Sequence, residues 1–345
     1  MLIPADAPRG VAEKGNPMPS ATSPRTGADP RTSRAEPATA RPTVHRPLAV
    51  FSLSMGVLTL ATLIGVAADD RVLNGAPIWL KPLHFAFSLA VYGATLAWLL
   101  PRIERFPRAA WWAGTLIAVS SFAEALIISV QAGRGTYSHF NMTTPVNTAF
   151  MHSMTVAVIV LWTSNFVAAI LVLRDRSLAP ALRWAVRLGL ALAVVGMALG
   201  MLMNTPTAEQ QQALDAGLPT LVGAHNVGVA DGGAGMPLTN WSTQGGDLRI
   251  PHFVGIHALQ VLPLAALGLG VLARRRPGSP LADESARARL VIVLGAFWTG
   301  LLAIVTWQAL RGQALIHPDT ATLAATGLVV LAGAVASAAV LRVRR

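Results

Sequence analysis

Cysteine is absent from the 345 residues, and only 12% of them are charged, about half the share usual in soluble domains. The first absence excludes disulfides, thiolate nucleophiles, iron–sulfur clusters and cysteine zinc sites. The second excludes an ordinary soluble protein. An HExxH zinc signature is missing too, as is any 2-His-1-carboxylate spacing within one helix. The GGAG at 232–235 and the QGGD at 244–247 match neither a Walker nor a dinucleotide fingerprint.

What is present is apolar. Hydrophobic residues make up 53% of the chain, mean hydropathy is +0.52, and the apolar residues fall in eight blocks near the length that spans a bilayer: 48–68, 77–100, 109–131, 145–173, 180–203, 251–273, 289–310 and 320–341. Backbone in lipid must satisfy its own hydrogen bonds, and these blocks lack the two-residue alternation of barrel strands, so each is read as a helix. Prolines mark several starts: Pro77 or Pro82, Pro145, Pro180 and Pro251. The expected fold class is all-α, a polytopic membrane protein with eight transmembrane helices. Gly196 and Gly200 in the fifth segment form a GxxxG packing cue.

Residues 1–46 hold Pro, Ala, Thr, Ser and Arg with few large apolar side chains and are expected to be a disordered basic tail. They are not read as a signal peptide, because the first apolar stretch, from Leu48, is longer than a typical h-region. With that tail inside, 22 of the 27 Lys and Arg fall on the cytoplasmic side, while the 16 acidic residues divide equally. Cytoplasmic loops retain cations, so both termini are expected in the cytoplasm and the protein in a bacterial-type plasma (inner) membrane. The excess of basic residues follows from this topology and not from nucleic-acid binding.

Short motifs recur. The third segment ends Gln131-Ala132-Gly133-Arg134-Gly135 and the seventh Gln308-Ala309-Leu310-Arg311-Gly312. The second begins Lys81-Pro82-Leu83-His84-Phe85 and the sixth Arg249-Ile250-Pro251-His252-Phe253. Two pairs in the same order read as a four-helix unit repeated once, over 47–176 and 177–345, the repeats parallel because each has an even number of spans. The second unit carries a long extracytoplasmic loop, 204–250, of the length usual for a lid or binding element. Its Ala208–Leu218 part could form a short amphipathic helix, and its Gly-rich part runs from Gly223 to Gly246.

On this topology seven of the eight histidines, all but His45, lie on or just inside the outer side, together with Lys81, Arg134, Arg249 and Arg311. Four helix N-termini point the same way. The expected site is therefore anion-binding: His84, His152, His252 and His257 as ligands or proton carriers, Arg134, Arg311, Arg249 and Lys81 as clamps, Gln131 and Gln308 beside them. The competing reading of such cations is snorkelling to lipid phosphates. Glu124, about two turns inside the third segment, is an expensive intramembrane carboxyl and the candidate catalytic residue. Its register counterpart is Leu301, so the halves differ chemically.

Two four-helix repeats with His84, His152 and His252 near the outer ends of even-numbered segments resemble the architecture of haem A synthase, a haem-binding membrane oxidoreductase. The likeness covers the helical region only. The second segment lacks that family's acidic residue beside its histidine, the eighth has no interior histidine, and no outer cysteine pair exists. No catalytic residue is carried over. Three functions follow as expectations: redox chemistry with haem b or another anionic cofactor, transport of a small anion with Glu124 and the histidines relaying protons, or binding of lipid or a partner during assembly. The bilayer is a partner in all three.

Overall fold

A computed structural model of the protein describes residues 44–342. The tail expected over 1–46 lies almost wholly outside the described residues, as do Arg344 and Arg345. The elements run α1 Arg46–Ala68, β1 Val72–Leu73, β2 Ala76–Pro77, α2 Leu80–Leu99, α3 Pro107–Gly133, α4 Pro145–Arg174, α5 Pro180–Gly200, α6 Ala208–Asp215, β3 Asn226–Val227, β4 Gly246–Asp247, α7 Arg249–Arg275, α8 Glu284–Leu310 and α9 Thr320–Arg342. All the helices except α6 are long and apolar enough to cross a membrane, and they match the eight apolar blocks to within a few residues.

Local chemistry sets the ends. Pro107, Pro145 and Pro180 occupy the first helical position, where a missing N–H costs nothing. Pro82 and Pro251 fall in the first turns of α2 and α7, whereas Pro77 belongs to β2. α6 starts with a capping box between Thr207 and Gln210. Asn74 and Gly75, both at positive φ (54° and 72°), make the tight turn that joins β1 to β2.

α3 and α8 end alike. Gly135 and Gly312 adopt φ of +74° and +70°, the left-handed conformation that closes a helix, and the next amide N–H returns to the glutamine carbonyl: Thr136 N to Gln131 O at 3.0 Å, Gln313 N to Gln308 O at 3.2 Å. The Gln131 side chain, fully buried, donates to Tyr137 O at 3.2 Å, and that of Gln308 to Ala314 O at 2.8 Å, each six residues on.

α5 and α7 approach most closely. A Cβ on Gly196 would sit 2.6 Å from Ile256 N, and one on Gly189 would sit 2.9 Å from Ala258 O; only glycine allows this approach, and helices in lipid associate through such packing. Gly200 lies against the His252 ring, so both glycines of the GxxxG are used. α1 packs on α2 and α3, α2 on α3, and α4 on α3; in the second half α5 packs on α7 and α8, α7 on α8, and α9 on α8. α4 with α5 and α2 with α7 join the halves. Leu48, Phe51, Leu96, Ile117, Leu190 and Leu259 form an apolar core that draws on both.

The connections at one end, here the loop end, interlock. Arg71 Nη1 donates to Gly133 O at 3.1 Å, Val222 N to Phe140 O at 2.7 Å and Leu248 N to His225 O at 2.9 Å. The segment 204–250 is a structured cap: α6, then the paired strands β3 and β4, then α7. At the opposite end Asp175 accepts from Glu104 N and Arg105 N, and Glu284 accepts from Ala181 N.

Candidate functional site

α3 turns Ser121, Glu124, Ile128 and Gln131 inward at helical spacing, and all four are buried. Glu124 Oε1 lies 3.7 Å from His139 Nε2. His139 is held by the α3–α4 connection: Ser138 Oγ is 3.1 Å from its Nδ1, and its ring meets Phe85 at 5.8 Å and Phe140 at 6.0 Å. Phe140 is a non-glycine residue at φ +64°, fixed there by the bond from Val222. Its other neighbour is the His225 ring, at 5.1 Å. His225 Nδ1 is 2.6 Å from Asp231 Oδ2, and Asp231 also accepts from the backbone N–H groups of His225 and Asn226. Lys81, in the first turn of α2, shares the electrostatic surroundings of Glu124, Asp231 and Arg249.

Environment sets the charges outside the spans. Burial holds the His139 imidazole well below its ordinary pKa, helped by the positive field of Lys81 and the nearby His225 and His252. His225 is lowered by burial and by Lys81 and Arg249, which outweigh the opposing bond to Asp231. Burial acts to raise Asp231, but its bonds to His225 and to two backbone N–H groups bring it down to about 2. At neutral pH the loop end thus offers neutral imidazoles beside an ionised Asp231.

The other histidines are placed differently. His252 Nδ1 donates to Gly196 O at 2.8 Å, and His84 Nε2 donates to Leu238 O at 2.6 Å. A carbonyl can only accept, so each bond fixes a tautomer. The His257 ring lies 4.2 Å from that of Phe253, tilted by 51°, and Phe253 meets Trp241 at 5.5 Å. The Gln260 amide lies 3.2 Å from its Nδ1, while its Nε2 is buried without a hydrogen-bond partner among the described residues. His152 and His317 are exposed and apart from these groups; His152 lines an open groove with Thr144, Thr148 and Pro219. Among the described residues no three His, Asp or Glu side chains come together in a way that would hold a metal ion.

Three of the four expected clamps are bonded to protein acceptors. Arg249 forks onto Asp247, which is 1% exposed, at 2.9 and 2.6 Å and also reaches Asn240 O. Arg134 bonds to Gln131 Oε1 and, at 3.2 Å, to Asn147 Oδ1. Arg311 bonds to Asp319 at 2.8 Å and to Thr322 at 2.7 Å, and lies over the Trp307 ring at 3.7 Å. Asn147 and Thr322 are each the third residue of the following helix, so both arginines, with their glutamines, join the third helix of a half to the fourth.

The structure therefore brings Lys81, Glu124 and His252 into one polar neighbourhood with His139, His225 and Asp231, and leaves His152 outside it. The sequence gives little sign of the His225–Asp231 pair, six residues apart in a glycine-rich loop. His139 had one signal, its place just after the Gln-Ala-Gly-Arg-Gly helix end. Comparison of the chain with protein-family models, with curated proteins and with solved structures gives no match in any of the three.

Proposed function

We propose that the protein is a plasma-membrane protein of two parallel four-helix repeats, 47–176 and 177–345, with cytoplasmic termini, and that its outward-facing loop end binds a small anionic molecule beside groups that exchange protons. The repeat reading is supported by the matching ends of α3 and α8, by a two-stranded ribbon before both α2 and α7, and by the same order of helix packing in each half. The orientation is supported by the bias of Lys and Arg.

One observation carries the binding reading: Lys81 and Glu124 lie within each other's electrostatic reach at the loop end, and His139 Nε2 is 3.7 Å from that carboxyl. Lys81 is also the one member of the four clamps that, among the described residues, makes no hydrogen bond to a protein acceptor. An anion would give its ammonium a partner, and Glu124 and His139 could take up or release the accompanying proton.

Haem b is the second reading, favoured by the orphaned Nε2 of His257 beside the Phe253 ring. The donor set fits it less well. Propionates need free cations, and Arg134, Arg249 and Arg311 are bonded elsewhere.

The test is thermal unfolding of the detergent-purified protein with phosphate, succinate or haemin as probe. A stabilising anion at about 100 times its Kd adds roughly 2.7 kcal/mol, and the shift should vanish in Lys81→Met. A Soret band with haemin that is lost in His257→Ala would favour haem. No shift with any probe overturns the binding reading. Orientation is tested with an impermeant maleimide, since the chain has no native cysteine. Leu238→Cys should label in intact cells, and Gly278→Cys at the opposite end only after permeabilisation.

A further inference from the structure

Glu124 sits in the bundle interior, and a carboxyl there must exchange its proton with water through something. We propose that Asp231, His225 and His139 form a proton path from water at the loop end to Glu124. This goes beyond anion binding, and it stands whether or not an anion binds.

The links are on the page. Asp231, its side chain 22% exposed, is the outer member and shares a 2.6 Å bond with His225 Nδ1. His225 and His139 both meet the ring of Phe140, at 5.1 and 6.0 Å, each lies in the field of Lys81, and His139 feels His225 directly; the proposed path needs water to join the two imidazoles. His139 Nε2 faces Glu124 Oε1 at 3.7 Å. One turn further in, Ser121 Oγ is buried without a partner, and beyond it Ile117 and Ala118 are apolar and buried. The path is therefore one-sided: it serves Glu124 and does not cross the bundle.

Imidazole suits this task because its two nitrogens face opposite ways. A proton added at one nitrogen gives an imidazolium, which releases the other proton from the opposite nitrogen. No net charge is left behind, and a ring flip or a reverse hop restores the tautomer. With Asp231 ionised, its bond keeps the proton of neutral His225 on Nδ1. From rest the relay therefore runs outward: Glu124 gives its proton to His139 Nε2, His139 Nδ1 gives one through water to His225 Nε2, and His225 Nδ1 gives one to Asp231, which releases it to water; uptake is the reverse sequence. The titratable groups that act on Glu124 are Lys81 from α2, through its field, and His139 from the α3–α4 connection, at 3.7 Å. Behind these stand His225 and Asp231 from the loop, and His252 and Arg249 from α7.

The experiment is infrared spectroscopy of the full-length protein in lipid nanodiscs. The carboxylic C=O band lost in Glu124→Gln belongs to Glu124, and its shift after transfer to D2O reads the rate at which this proton exchanges. His139→Phe should slow the shift by about tenfold or more, and His225→Asn, which can still bond to Asp231, should slow it as well. His317→Ala, exposed and off the path, should exchange at the wild-type rate. If His139→Phe does not fold, His139→Gln keeps a polar side chain beside Glu124 but cannot relay, and it too should be slow. Wild-type exchange in His139→Gln or in His225→Asn overturns the path, as does the absence of a protonated Glu124 band at every pH at which the protein is folded.

Discussion

Gly196 of α5 and Gly255 of α7 meet backbone to backbone, so that a Cβ on Gly196 would lie 2.6 Å from Ile256 N. This approach brings α7, and with it His252, against the Gly196 carbonyl. Gly196→Leu should force the helices apart and cost about 1–3 kcal/mol or more, lowering the unfolding midpoint in detergent. Gly56→Leu, where nothing lies within 4 Å of an added Cβ, is the control and should leave the midpoint unchanged.

Gln131 and Gln308 do the same work in the two halves, each amide donating to a carbonyl six residues on. Replacement by Leu strands a buried acceptor, which costs about 1–3 kcal/mol. Gln131→Leu should be the more damaging, because the Gln131 amide also donates to Asn147 and accepts from Arg134. Denaturant unfolding of both variants checks the order.

His225 and Asp231 both have folded pKa values below their ordinary ones of 6.5 and 3.8. A lowered value means that the unfolded chain binds the proton more tightly, so each group favours folding at higher pH and loses that contribution as pH falls. The loss begins below 6.5 with His225, joined by His139, and continues between 3.8 and about 2 with Asp231. Stability measured against pH should fall through both windows, and Asp231→Asn should flatten the lower one.

His84 holds the loop through the Leu238 carbonyl. Leu238 is 85% exposed at φ +67°, and Asn240 follows at +53°, conformations that L residues adopt at a cost. His84→Phe removes the bond that opposes this strain. Limited proteolysis within 232–241 should then run several-fold faster, with the transmembrane helices unaffected.

The eight spans were legible in the sequence because a bilayer demands about 20 apolar residues per helix and proline marks where several begin. The Gln-Ala-x-Arg-Gly ends were legible as motifs but not as structure. An arginine that bonds to the third residue of the next helix reads, in sequence, like one that waits for an anion, and only the positions of Asn147 and Thr322 separate the two. The pairing of His225 with Asp231 was not readable, since no periodicity governs a glycine-rich loop. Nor was the neighbourhood of Lys81 and Glu124, which depends on how α2 sits on α3.

The account rests on Lys81 and Glu124 sharing one site, and a double-mutant cycle of Lys81→Met and Glu124→Gln on unfolding free energy measures that directly. The predicted result is a coupling of about 0.5–3 kcal/mol between the two substitutions. Effects that add to within about 0.3 kcal/mol would contradict it.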